Sequence, residues 1–121
     1  MSVGIGYVVL YVNDTEKTAN FWTTNFGFEI KNEVAAGEHK VITIGATDSQ
    51  TNFELVPLAL MEGNPFNLNL GLPSICLNTD DLQAEHERLT SLGVNVTEIS
   101  DHGGRMSFAV IDEDGNAFAI A

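Results

Sequence analysis

The residues with the clearest capacity for chemistry are a glutamate and two tyrosines, all carried by strand-like segments. Glu54 lies within the apolar run of residues 51–57, whereas Tyr7 and Tyr11 lie within residues 7–12. A carboxylate turned into a cavity needs a partner, because burying an unpaired charge is costly. Such a glutamate could bind a cationic or hydrogen-bond-donating ligand, or serve as a general base. The alternative is an ordinary strand glutamate that points into water.

Alternation along these runs assigns their side chains to two faces, since successive strand residues point in opposite directions. If Leu10 packs against a helix, Tyr7 and Tyr11 point away from it. If Leu55 does the same, Glu54 also points away. The same alternation brings four further side chains to that second face, namely Asn52, Ser74, Cys76 and Asn78. We therefore predict that this face binds a ligand, with the tyrosine rings stacking on a flat or cationic group.

Each of these assignments has a structural alternative. The two tyrosines could simply fill a core, and the polar residues could face solvent. Cys76 could pack as a small hydrophobe, because no His or Lys stands beside it in sequence to activate its thiol. A second candidate site is the segment DHGGR at residues 101–105, where His102 and Arg105 flank two glycines. This segment is either a mobile lid with an anion-binding arginine or a loose surface turn.

The elements that must position these residues begin with residues 7–28, which predict a strand, a helix and a stop. The strand is followed by Asn13 as the helix N-cap, with Glu16 as the partner in a capping box. Gly27 provides the left-handed residue that ends the helix. The helix carries an apolar stripe that we expect to lie on a sheet, formed by Ala19, Trp22 and Phe26.

Residues 74–94 repeat this plan. A strand at residues 74–78 is followed by Thr79 or Asp80 as the cap and by Gly93 as the stop. The stripe of this second helix consists of Leu82, Leu89 and Leu92. His86 falls among these leucines, so we predict a partly buried structural histidine. Gly27 and Gly93 are 66 residues apart, a period longer than that of a solenoid repeat, which indicates two half-domains.

Three further strands are predicted in each half. They are residues 29–34, 40–44 and 51–57 in the first half and residues 95–99, 106–111 and 117–121 in the second. Asp114-Gly115 or Gly115-Asn116 is a strong hairpin signal between the last two. We therefore predict an α+β fold of tandem βαβββ modules in a single domain of residues 1–121. The first module covers about residues 1–60, a connector about 61–72 and the second module about 73–121.

Composition restricts the partners. Seventeen acidic residues against five basic ones give a net charge of −12, which repels phosphate backbones and argues against a nucleic-acid partner. The same charge serves solubility or attracts a cationic small molecule. No apolar run reaches the roughly 18 residues of a membrane span, and residues 1–6 lack a secretory pattern. A lone cysteine, Cys76, fits a reducing cytoplasm.

Three stretches together make this sequence similar to the vicinal oxygen chelate superfamily, which includes glyoxalase I, bleomycin-resistance proteins and extradiol dioxygenases. They are YVVLYVND with FWTTNFGF, CLNTDDL with LTSLGV, and FAVIDEDGNAFAI. The resemblance covers nearly the whole chain. It implies paired βαβββ units whose strands form a curved, cup-shaped mixed sheet with helices on its outer face. It also implies a homodimer.

Metal-dependent members of that superfamily use four cup-facing positions. In this sequence those positions carry Tyr7, Glu54, Ser74 and Ala119. Only Glu54 among them suits a divalent ion, which needs several imidazole or carboxylate ligands. The three histidines, His39, His86 and His102, fall on separate predicted elements without metal-ligand spacing. The resemblance therefore implies the fold without a metal, and no cofactor is expected.

These observations leave three functions open. The preferred one is a metal-independent small-molecule binding protein that sequesters a cationic or aromatic ligand in the cup. The second is a metal-free glyoxalase-like enzyme of the lyase, isomerase or dioxygenase type. In that enzyme Glu54 would be the general base, and Tyr7 or Arg105 would stabilise developing negative charge. The third is an interaction domain whose cup is filled by its own side chains or by a partner.

Overall fold

The computed structural model describes residues 5–121 and separates into two compact units. The first unit ends at Leu72 and the second runs from Pro73 to Ala121. Each described unit contains one α-helix and one open mixed sheet, so the predicted α+β class is confirmed. No helix within residues 5–121 is both long enough and apolar enough to cross a lipid bilayer.

The first unit follows the predicted order of strand, helix and three strands. Its elements are β1 (Val8–Val12), α1 (Thr15–Phe26), β2 (Glu29–Ala36), β3 (His39–Gly45) and β4 (Phe53–Pro57), with a 3₁₀ turn at Leu58–Met61. The sheet has the strand order β1-β4-β3-β2. β1 and β4 run parallel, whereas β3 pairs antiparallel with both β4 and β2. β4 therefore lies inside the sheet, between β1 and β3.

The second unit repeats this path with one addition. Its elements are β5 (Cys76–Leu77), α2 (Leu82–Ser91), β6 (Asn95–Val96), β7 (Ser100–His102), β8 (Arg105–Ile111) and β9 (Ala117–Ile120). The order β5-β9-β8-β6 matches that of the first sheet, and β7 also pairs with β8. Of the strand predicted over residues 95–99, only Asn95–Val96 forms one, and the next strand on the same partner, β7, begins at Ser100. The segment predicted as a loop at residues 101–105 lies largely within the β7–β8 hairpin.

The observed N-cap of each helix lies one or two residues after the predicted one. The carboxylate of Asp14, not the amide of Asn13, accepts a hydrogen bond from the Lys17 backbone N–H at 3.1 Å. In α2 the cap is Asp81, which accepts from the Ala84 N–H at 3.0 Å, so the prediction of Thr79 or Asp80 is also wrong. Both caps have the extended backbone that aims a side chain at the third helical N–H. Each helix is preceded by adjacent residues that can all act as caps, and the sequence alone does not show which of them adopts this extended backbone.

The ends of the helices agree with the sequence. Gly27 has a φ of 67° and donates its N–H to the Thr23 carbonyl at 3.2 Å. Gly93 has a φ of 77° and donates to the Thr90 carbonyl at 3.1 Å. A left-handed backbone is strained for residues with a side chain, which explains glycine at both sites.

The core of the first unit is built on Trp22, which has no exposed surface. Its ring lies 4.9 Å from that of Phe26, 5.3 Å from that of Phe28 and 5.3 Å from that of Phe53. The Phe53 contact shows that odd-numbered residues of β4 face α1. This helix therefore covers one side of the first sheet, as the stripe predicts.

The core of the second unit gathers on Leu89, which is fully buried between α2 and its sheet. Leu92 is 52% exposed, so its predicted place in the stripe is wrong. Leu92 is the C-cap of α2, directly before the left-handed Gly93, and its side chain stays on the surface at the end of the helix. His86 is partly buried as predicted, and its ring packs edge-on against Phe108 at 4.9 Å. Its Nε2 lies 2.9 Å from the Thr97 carbonyl oxygen.

Arg88 on α2 donates hydrogen bonds to the carboxylate of Glu85, one turn earlier. This hydrogen bond raises the pKa of the guanidinium above its ordinary value, an effect that partial burial opposes. Because arginine is charged in either case, the pair acts as a helix-surface contact and gives no pH switch.

Candidate functional site

The side of the first sheet opposite α1 is the candidate site, and we call it the far face. On β4 the buried residues Phe53 and Leu55 turn toward the helix, so Glu54 turns to the far face. Strand register places Val9 of β1 and Thr43 of β3 on either side of Glu54. The carboxylate therefore originates from the middle of the sheet, between an apolar and a hydroxyl side chain.

Glu54 is partly buried, and it forms no hydrogen bond or ion pair with any residue in the range 5–121. Neither lateral neighbour, Val9 or Thr43, carries a positive charge. A partly desolvated carboxylate without a donor is unfavourable compared with one that is hydrogen-bonded. The arrangement suits a cation or an N–H donor brought by a ligand.

Asn52 precedes β4 and lies over Gly45 of β3. The backbone carbonyl of Asn52 accepts a hydrogen bond from the backbone N–H of Val8 at 3.0 Å, which joins Asn52 to the start of β1. A Cβ built on Gly45 would sit only 2.0 Å from Asn52 Oδ1, so this side chain occupies the space that the glycine leaves. Oδ1 is buried and has no hydrogen-bond partner among residues 5–121. A buried acceptor without a donor costs about 1–3 kcal/mol, so its presence calls for an explanation.

The two tyrosines lie beside this pair at the β1 side of the far face. Tyr11 is partly buried and stands in register with Val56 of β4. Tyr7 directly precedes β1 and is 52% exposed. Neither phenol belongs to the buried core, whereas Leu10 and Val12, which alternate with them, do. Alternation with the buried Leu10 and Val12 assigns both tyrosines to the far face of the first unit, and their role in ligand binding stays a prediction.

The far face of the second unit, opposite α2, has a different chemistry. Cys76 of β5, Ala119 of β9 and Ala109 of β8 stand side by side in register. Cys76 is exposed, and its Sγ lies 3.7 Å from the Leu77 carbonyl oxygen. Ser74 and Asn78 flank β5 and are exposed. This row offers a thiol and two methyl groups where the first sheet offers Val9, Glu54 and Thr43.

The DHGGR segment closes a tight hairpin. His102 pairs with Arg105 across Gly103 and Gly104, whose φ angles of 67° and 87° are those of a two-residue hairpin turn. The Asp101 carboxylate accepts the Gly104 N–H at 2.7 Å. The expectation of a loop without regular structure is therefore wrong, because backbone pairing extends to the two glycines. His102 and Arg105 are exposed at its end, and their predicted role in ligand binding stays a prediction.

The donor set does not fit a divalent metal. Glu54 has no second carboxylate or imidazole beside it on the neighbouring strands, and Ala119 holds the matching position of the second sheet. Across the part of the chain described here, residues 5–121, no three His, Cys, Asp or Glu side chains are arranged to hold a metal ion.

Two hollows on the helix side of the first unit were not anticipated from the sequence. One, of about 390 Å³, surrounds the start of α1, and the other, of about 230 Å³, lies between α1 and strands β2 and β3. Both are lined by Glu16 and Lys40, whose charged atoms lie 3.5 Å apart. None of the predicted site residues lines either hollow. They form where α1 packs on the sheet, and no local sequence pattern predicts that packing.

Comparison with known proteins gives a consistent family. A family model described as the Glyoxalase/Bleomycin resistance protein/Dioxygenase superfamily matches residues 4–120. The uncharacterized protein YurT of Bacillus subtilis strain 168 is 30% identical over 117 residues, which cover 92% of each chain.

Two solved structures show the same fold at low identity. TnmS3, an antibiotic binding protein from Streptomyces sp. CB03234, has a TM-score of 0.80 at 22% identity, covering 99% of this chain and 96% of that one. Lactoylglutathione lyase from Agrobacterium tumefaciens has a TM-score of 0.73 at 18% identity, covering 97% and 91%. With the family model spanning nearly every residue and the βαβββ plan present in both units, the chain belongs to the glyoxalase, bleomycin resistance protein and dioxygenase superfamily.

Proposed function

We propose that this protein is a metal-independent small-molecule binding protein that holds a cationic, aromatic ligand against the far face of its first sheet. The observation that carries the proposal is Glu54, a partly buried carboxylate in the middle of the sheet with no partner in residues 5–121. A ligand cation supplies the charge that its strand neighbours do not. The pairing is strong where water is partly excluded.

The surroundings of Glu54 favour an aromatic cation over a hydrophilic one. Val9 and Val56 supply apolar surface on the same face, and Tyr11 supplies a ring that attracts cations. The net charge of −12 adds a long-range field of the same sign. TnmS3, a structural neighbour, is described as an antibiotic binding protein, which supports ligand binding as a use of this fold.

The test measures binding of benzyltrimethylammonium by isothermal titration calorimetry. Glu54→Gln keeps the shape of the side chain and removes its charge, so we expect affinity to fall about tenfold or more. The matched control is Glu33→Gln, which removes one charge from the same sheet at an exposed residue beside Ile42. We expect its affinity to stay within about twofold of the parent protein. Equal affinities for all three proteins would refute the proposal.

Metal independence has its own measurement. Protein treated with EDTA and dialysed is expected to bind the same probe as tightly as untreated protein, because the strand neighbours of Glu54, Val9 and Thr43, offer no second carboxylate or imidazole. Stoichiometric zinc, nickel or iron that must be restored before binding returns would contradict this part of the proposal.

The assembly and compartment that we propose are a homodimer in a reducing cytoplasm. The dimer rests on the superfamily, and the compartment on the single cysteine, Cys76. Sedimentation velocity should give twice the mass of the chain. A single species of one chain at micromolar concentration would exclude the dimer.

A further inference from the structure

We infer that Asn52 is a second ligand anchor, stored against Gly45, and that the natural ligand therefore carries N–H donors on its cationic centre. The inference rests on the proposed function of the far face. It narrows the natural ligand to primary or secondary ammonium groups and amidinium groups, because a quaternary ammonium can meet Glu54 but not Asn52.

The first step is the unpaired acceptor. Asn52 Oδ1 is buried and receives no hydrogen bond from the described part of the chain, although the backbone carbonyl of the same residue accepts one from Val8. An amide oxygen can accept two hydrogen bonds, and a buried one almost always accepts at least one. A group that lacks its partner within residues 5–121 is suited to receive that partner from outside. Because the orphan atom is an acceptor, the missing partner is a donor.

The second step is the space that holds the side chain. A Cβ on Gly45 would lie 2.0 Å from Asn52 Oδ1 and 3.0 Å from its Cγ, so only glycine admits the amide in this place. The atoms in conflict are at the far end of a flexible side chain, which can rotate out without moving the backbone. Gly45 thus permits a stored position for Asn52, and rotation about Cα–Cβ releases the amide oxygen from the space above the glycine.

The third step is the distance to Glu54. Asn52 and Glu54 are two residues apart on an extended chain, and alternation puts them on the same face. Their Cα atoms are therefore separated by roughly 6.5–7 Å. The several N–H groups of an ammonium or amidinium can donate to the carboxylate and to the amide oxygen at once. A quaternary ammonium carries the charge without any donor, so it can satisfy only Glu54.

The experiment compares two probes of equal charge with the same ring, benzylammonium and benzyltrimethylammonium, by calorimetry. Asn52→Leu removes the acceptor with little change in volume. We expect it to weaken benzylammonium about five- to tenfold and to leave benzyltrimethylammonium within about twofold. Glu54→Gln is expected to weaken both. Unfolding of each variant, followed by circular dichroism, shows that the fold is intact.

Gly45→Ala tests the stored position. The added methyl group excludes the amide from its place, so Asn52 is already turned outward. We expect benzylammonium to bind about two- to fivefold more tightly, because less of the protein is in the stored form, and benzyltrimethylammonium to be unchanged. Adding Asn52→Leu to Gly45→Ala should abolish the gain.

The outcomes separate this inference from the proposed function. If Glu54→Gln weakens both probes but Asn52→Leu fails to distinguish them, the inference is wrong and the proposed function stands. If Glu54→Gln weakens neither probe, the proposed function is wrong, and the inference fails with it. A loss for Asn52→Leu that is equal for the two probes also overturns the inference, because it indicates a structural effect.

Discussion

Glu54 and Ala119 occupy equivalent places in the two sheets. Glu54 of β4 stands between the first and third strands of its unit, beside Val9 and Thr43. Ala119 of β9 stands in the same way beside Cys76 and Ala109. The two units share one strand order and differ in what these positions carry. Of these two equivalent positions, only the one in the first unit therefore carries a charged side chain.

Replacing Glu54 by glutamine is expected to leave stability unchanged. The carboxylate has no partner in residues 5–121, so its removal breaks no internal hydrogen bond. We expect the free energy of unfolding in urea to stay within about 0.5 kcal/mol of the parent value, while binding of the cationic probe is lost. A fall of more than about 1 kcal/mol would show that Glu54 supports the fold.

Truncating Trp22 is expected to be severe. The side chain is fully buried among four phenylalanine rings, so Trp22→Ala leaves a large cavity and should cost about 3–5 kcal/mol. The control is Phe66→Ala, which removes a ring that is 83% exposed and should cost less than about 0.5 kcal/mol. Urea denaturation followed by circular dichroism gives both values. Similar costs for the two variants would contradict the placement of the core.

Alanine substitutions can distinguish the observed helix caps from the predicted ones. Asp14→Ala removes the acceptor of the Lys17 N–H, and Asp81→Ala removes that of the Ala84 N–H. Each should lower stability by about 1 kcal/mol. Asn13→Ala is the matched control for the first helix, because its side chain does not cap α1. If Asn13→Ala costs as much as Asp14→Ala, the assignment of the first cap is incorrect.

Replacing Gly27, which ends α1, should strain the backbone without causing a steric clash. A Cβ at this position would meet no atom within 4 Å, yet the φ of 67° is unfavourable for alanine. We expect Gly27→Ala to destabilise the protein by about 1–2 kcal/mol. Gly6→Ala, where a Cβ also meets no atom of residues 5–121 within 4 Å and φ is not positive, is expected to have little effect. Equal melting temperatures for the two variants would argue against this backbone strain.

The sequence by itself determined the plan of each unit. Three features depend on local signals, namely left-handed backbone and residue periodicity. They are the helix ends at Gly27 and Gly93, the buried stripe through Trp22 and the orientation of Glu54 away from α1. Each of these signals is contained in a short stretch of chain. The folded structure agrees with them, because the residues that form the apolar pattern are the ones buried where the helix packs on the sheet. They were sufficient for the family and for the direction in which Glu54 points.

Only the tertiary structure decided which groups meet. Gly45 is the last residue of β3 and Asn52 directly precedes β4, and their contact follows from the register of β3 on β4, which alternation alone does not set. The same is true of the hollows beside α1 and of the β7–β8 pairing that orders the segment around Gly103. A sequence pattern fixes the direction of a side chain relative to its own strand. The neighbour that it meets depends on how strands align, which is settled by long-range packing as the whole sheet forms.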